Sequence, residues 1–86
     1  MYQIKMARQA QRALGRLPKS DSEAIMDRLD DLAIAPRPRG VEKIKGTADL
    51  WRVRQGDYRA VYSIDDKEKL ITVWDIGHRR EIYRSL

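Results

Sequence analysis

Arginine 52, 54 and 59 stand on either side of a Gly56-Asp57 dipeptide in the stretch LWRVRQGDYRAVYSI, Leu50 to Ile64. With period two, Trp51, Val53, Tyr58, Ala60, Tyr62 and Ile64 fall on one face of two strands, and Arg52, Arg54, Arg59 and Ser63 on the other. If Gly56-Asp57 is a two-residue hairpin loop, Gln55 pairs with Tyr58, Arg54 with Arg59 and Trp51 with Tyr62. Like charges directly opposite each other cost stability, so a purely structural strand avoids that pairing. Two readings fit: a solvated face whose arginine stems cover apolar surface, or an anion site, with phosphate matching the planar guanidinium fork.

A second group of chemistry-bearing residues lies in the tail, Gly77-His78-Arg79-Arg80-Glu81-Ile82-Tyr83-Arg84. Arg79 and Tyr83 project to the same side whether the tail is helical or extended, because a separation of four satisfies both periods. His78 is the single histidine and the side chain whose unperturbed pKa lies closest to neutrality. It also fits a cap or an ordinary surface position.

The elements that must position these groups follow from the rest of the chain. Tyr2 to Met6 alternates as a short first strand, and from Ala7 the apolar stripe Ala7, Ala10, Leu14 and Leu17 is helical. Pro18 stops that helix or opens the next one, and Ser20 with Glu23 has the spacing of a capping box. The second helix gathers Ile25, Met26, Leu29, Leu32 and Ala33 on one broad face, with Asp27, Arg28, Asp30 and Asp31 outside. Two amphipathic helices so tightly joined form an antiparallel pair able to cover one face of a sheet. Pro36 and Pro38 end the second helix, and a loop or short strand runs on to Gly46. After the hairpin, Asp65 to Glu68 reads as a turn and Lys69 to Ile76 as a last strand. That strand is apolar on both faces, so it belongs inside the sheet, with Trp74 and Asp75 pointing opposite ways. The expected fold is α+β, a single domain of order β-α-α-β-β-β: an N-terminal strand, a helical hairpin on a small antiparallel sheet, and a short C-terminal helix or tail.

Composition sets the outer limits. The chain has 86 residues and a formal net charge of +5, with a pI near 9.8, which favours a polyanionic partner. Between Arg37 and Arg59 there are seven basic residues (37, 39, 43, 45, 52, 54 and 59) against three acids, so the excess is concentrated there. That cluster reads as a footprint or as a charged loop. With no cysteine there is neither a disulfide scaffold nor a thiolate metal site, and no metal or other cofactor is expected. No apolar run approaches the ~20 residues that span a bilayer, and no signal-peptide core opens the chain, so a cytoplasmic protein without membrane contact is expected.

The element order, the string GDYRAVY and the terminal GHRREIYR together resemble the RelE/ParE superfamily of toxin–antitoxin toxins, the RelE branch in particular. The resemblance covers nearly the whole chain. It implies an mRNA interferase that enters the ribosomal A site and cleaves messenger RNA, monomeric by itself and held silent in a hetero-oligomer with a small RelB-like antitoxin. It further implies that the basic pair lining the family's cleft is Arg52 and Arg54, that the phosphate-binding arginine is Arg59, and that the terminal pair is Arg79 and Tyr83. In the best-studied members the strand pair is lysine, a departure that bears on mechanism. Lys43, Lys45 and Arg80 would add contacts to the RNA backbone.

A metal-free ribonuclease directs the ribose 2′-hydroxyl at the adjacent phosphorus and needs a base, charge stabilisation and an acid. Arg54, Arg59 and Arg79 suit charge stabilisation, but a guanidinium with a pKa above ~12 is a poor proton carrier. That leaves Tyr83 and His78 for proton transfer, and the resemblance puts Tyr83 first and His78 second. The alternatives are a ParE-like gyrase poison, a non-catalytic RNA-binding module, and an inactive chain that only folds its antitoxin. A cationic face and surplus apolar helix surface suit an antitoxin that is partly disordered, acidic and folds as it wraps the toxin.

Overall fold

The computed structural model describes residues 1–47 and 49–78. The order is β1 Gln3–Met6, α1 Arg8–Gly15, α2 Lys19–Ile34, β2 Glu42–Lys43, β3 Leu50–Gln55, β4 Tyr58–Asp65 and β5 Leu70–His78. The strands form one five-stranded sheet ordered β1-β5-β4-β3-β2. The α+β class holds, with two differences from the expected sheet. The Glu42–Lys43 stretch becomes a fifth strand at one edge, and β1 joins β5 in parallel at the other. The helical hairpin and the three antiparallel strands after it separate β1 from β5 in the chain, long enough a connection for the two to pair in parallel. The expected C-terminal helix or tail lies outside the described residues.

Both helices cover the same sheet face. Ala10 of α1 and Ile25, Leu29 and Leu32 of α2 bury completely or nearly so against Val53, Ala60, Tyr62, Ile71, Val73 and Ile76. Burial of one leucine of this kind stabilises by roughly 1.5–3 kcal/mol. Of the two possible starts for α2, the chain uses Pro18, which sits at the N-cap; the helix begins at Lys19. Ser20 is therefore already inside the first turn, no side chain caps the end, and the capping box does not form. Met26, expected in the core, is 37% exposed, and Arg28, expected outside, is half buried near enough to Tyr62 to influence its hydroxyl.

The hairpin register is the expected one: Gln55 pairs with Tyr58, Arg54 with Arg59 and Trp51 with Tyr62. Gly56 has a φ of 61°. Glycine at the first loop position with positive φ is the type II′ pattern, whose twist matches the strands it joins. Strand β5 departs from simple alternation. Its buried residues are Ile71, Val73 and then Ile76, a step of three where period two allows only two. The ladder with β4 shifts there, pairing Tyr62 with Val73 but Val61 with Asp75. This β-bulge puts Trp74 and Asp75 together on the face away from the helices, correcting the expectation that they point opposite ways.

A polar network closes the far end of the sheet. Asp66 accepts from the Tyr2 hydroxyl at 2.5 Å and from both terminal nitrogens of Arg37, at 3.3 and 2.9 Å. The Arg37 guanidinium also lies 5.6 Å from the centre of the Trp51 ring. The buried Tyr62 hydroxyl donates to the Pro36 carbonyl at 2.8 Å, and burial pushes its pKa up to about 12. These contacts tie β1, the segment after α2 and the β4–β5 turn together.

Candidate functional site

The face not covered by helices carries the cationic cleft. Its position is set by parity: Val53 and Ala60 point into the core, so Arg52, Arg54 and Arg59 between and beside them point out. Gly40, Glu42, Arg52, Arg54 and Arg59 line a cavity of about 200 Å³. Across the ladder from Arg59 on the other side is Gly77, which places no side chain there.

The three arginines are held differently. Arg52 bonds the Glu42 carboxylate at 2.5 Å across the β2–β3 ladder. That hydrogen bond, then the charge of Arg52 and more weakly that of Arg59, keeps the Glu42 carboxyl below the usual carboxylate range. Arg54 and Arg59 form no ion pair among the described residues. The Arg54 Nε donates to the Gly56 carbonyl at 3.2 Å, and an Arg59 terminal nitrogen donates to Gly56 at 3.3 Å and to Tyr58 at 3.1 Å. The turn thus draws two guanidiniums toward one carbonyl and leaves their remaining donors for an anion. Such a cleft can bind a phosphate and stabilise charge developing on it.

Lys43 and Lys45 line an adjoining groove of about 520 Å³ with Glu42, Ile44 and Arg52, extending the positive edge. Arg37 does not belong to it. Although counted in the basic cluster between Arg37 and Arg59, it is engaged by Asp66 at the opposite end of β4. His78 lies on the other side of the sheet. It pairs with Tyr58, whose ring it meets edge-on at 5.9 Å, and shares a cavity with Ala13, Arg16 and Leu17 of the helical side. Gly77, one residue earlier, takes the place facing Arg59, so His78 is turned to the opposite face. Arg79, Arg80 and Tyr83 lie outside the described residues.

Glu42 is the cleft residue that the sequence reading missed. It was one acid among seven bases, and only the β2–β3 pairing places it against Arg52.

Comparison with known proteins agrees with this architecture. The family model described as ParE toxin of type II toxin–antitoxin system, parDE, matches residues 4–83. Toxin RelG of Mycobacterium tuberculosis is 30% identical over 84 residues, which is 96% of this chain and 97% of that protein. A chain of the crystal structure of the archaeal RelE–RelB complex from Pyrococcus horikoshii is 36% identical, with a TM-score of 0.81 and coverage of 93% of this chain and 97% of that one. A chain of the RelBE2 toxin–antitoxin complex of Mycobacterium tuberculosis is 28% identical, with a TM-score of 0.80 over 91% of this chain and 98% of that one. The fold, the hairpin with its outward arginines and the match along almost the full chain make this protein a member of the RelE/ParE superfamily of type II toxins, in its RelE branch.

Proposed function

We propose that this toxin is a metal-independent mRNA endonuclease that acts in the ribosomal A site and halts translation. The observation that carries the reading is the Arg54–Arg59 pair, two guanidiniums side by side without a carboxylate between them in a phosphate-sized cleft. In the reaction the 2′-oxygen attacks the adjacent phosphorus, the bond from phosphorus to the 5′-oxygen breaks, and a cyclic phosphate and a 5′-hydroxyl result. Arg54 and Arg59, joined by Arg79, stabilise the charge that builds on the phosphoryl oxygens; one preorganised donor of this kind is worth roughly 3–4 kcal/mol. Tyr83 takes the 2′ proton as general base, and water delivers a proton to the departing 5′-oxygen. Arg52, Lys43, Lys45 and Arg80 hold the flanking backbone. The ribosome aligns the message, which accounts for an active centre without a complete acid–base pair in the chain.

The relatives crystallised with RelB support a RelB-like antitoxin as the cognate partner here. The proposal further takes the toxin as monomeric alone and working in the cytoplasm. Inducing the protein in growing cells and mapping messenger ends against codon frame tests the reading. Cuts at fixed positions within codons are expected; intact messages in arrested cells would refute it. The matching ParE model favours a second reading, inhibition of DNA gyrase. A supercoiling assay run beside the cleavage assay on translating ribosomes separates the two.

A further inference from the structure

Trp74 is 48% exposed, although a tryptophan ring carries one of the largest apolar surfaces a side chain can bury. Three observations give this exposure a direction. Trp74, the residue after buried Val73 and the unpaired position of the β5 bulge, lies on the face that carries Arg52, Arg54 and Arg59. Its indole Nε1 donates to the Ser63 hydroxyl at 2.9 Å, which satisfies the ring's polar group within the protein and fixes the ring's orientation. Its position three residues before Gly77, the ladder partner of Arg59, sets it about 10 Å along the strand from the arginine row. Bulges recur beside binding sites.

We propose that Trp74 is a base-stacking platform for single-stranded RNA whose backbone lies in the arginine cleft. The inference rests on the RNA-binding reading of that cleft and adds a subsite to it. The ring offers what a nucleobase needs, an apolar π face with its N–H already used, and stacking of this kind tolerates any base. Charge selects nucleic acid over an apolar peptide: the same face presents Arg54 and Arg59 without ion-pair partners among the described residues. Asp75, the acid beside the ring, has a carboxylate oxygen that accepts from the Ile76 amide at 2.9 Å, turned back on its own backbone.

The test uses the full chain and two probes, a short single-stranded oligonucleotide made uncleavable by 2′-O-methylation and the same backbone with abasic sugars. Binding is read by fluorescence anisotropy. Trp74→Ala is expected to weaken the base-bearing probe roughly 5- to 150-fold and to leave the abasic probe unchanged. Trp74→Phe, which keeps a ring, is expected to retain most of the affinity, and its thermal melt guards against a folding artefact. If Trp74→Ala binds both probes like the parent while an Arg54→Ala/Arg59→Ala variant loses both, the stacking platform is refuted and the cleft survives. If the double arginine variant binds both probes fully, the RNA reading of the cleft fails. A Trp74→Ala protein that loses only its grip on an antitoxin, with RNA binding intact, also overturns the proposal by giving the ring to a protein partner.

Discussion

Arg54 lies directly across the β3–β4 ladder from Arg59, and both guanidiniums turn to the same Gly56 carbonyl oxygen, at 3.2 and 3.3 Å. Two like charges are thereby kept together, with no opposite charge paired to either among the described residues. A cross-strand pair of one sign costs roughly what an opposite pair gains, ~0.2–1 kcal/mol. Arg59→Ala and Arg54→Ala should therefore melt no lower than the parent, and up to about 1 kcal/mol more stably. On translating ribosomes Arg59→Ala should cleave about 10²- to 10³-fold more slowly. A stable variant that cleaves at the parental rate would remove Arg59 from the site.

Glu42 places a negative charge in the cleft, held there by Arg52. An incoming phosphate must compete with it. Glu42→Gln removes that competitor, and since an exposed ion pair is weak, oligonucleotide binding should tighten only about two- to five-fold. The dependence of affinity on salt should steepen with it, because one more cation becomes available to phosphate. Weaker binding by this variant would mean that Glu42 instead orients Arg52 for the ligand.

Acid should loosen the far end of the sheet. The hydrogen bond from Arg37, then that from Tyr2, lowers the Asp66 pKa from an ordinary 3.8 to about 2. A depressed carboxylate contributes stability that is present above its unfolded pKa and is lost as pH falls through the folded one. The loss from Asp66 should fall between about pH 4 and about pH 2. Melting curves through this range should fall less steeply for Asp66→Asn than for the parent, and high salt should narrow the difference because the pair is exposed.

His78 and Tyr83, the two tail candidates for proton transfer, call for different outcomes on substitution. His78 meets Tyr58 on the helical side, so His78→Ala should show its main effect in the melting temperature. Tyr83→Phe, which removes only a hydroxyl, should lower ribosomal cleavage by orders of magnitude and leave the melt unchanged. A reversed result, with His78→Ala folded and inactive and Tyr83→Phe active, would exchange their roles.

The sequence by itself determined the β3–β4 hairpin, its register and the outward arginines. A two-residue loop with glycine at a positive-φ position leaves one pairing between alternating strands, and parity then settles every side chain. It also determined that two amphipathic helices cover one face and that β5, apolar on both sides, is an interior strand. Tertiary structure decided the rest. The bulge at Trp74 arises because the core takes Val73 and Ile76 from one strand, a choice made by packing across the sheet. Arg37 meets Asp66 across 29 positions and Glu42 meets Arg52 across ten, distances over which local periodicity carries no information. Charge counting placed Arg37, Arg52, Arg54 and Arg59 in one cluster; only the tertiary structure showed that Asp66 engages Arg37 and Glu42 engages Arg52, while Arg54 and Arg59 form no ion pair among the described residues.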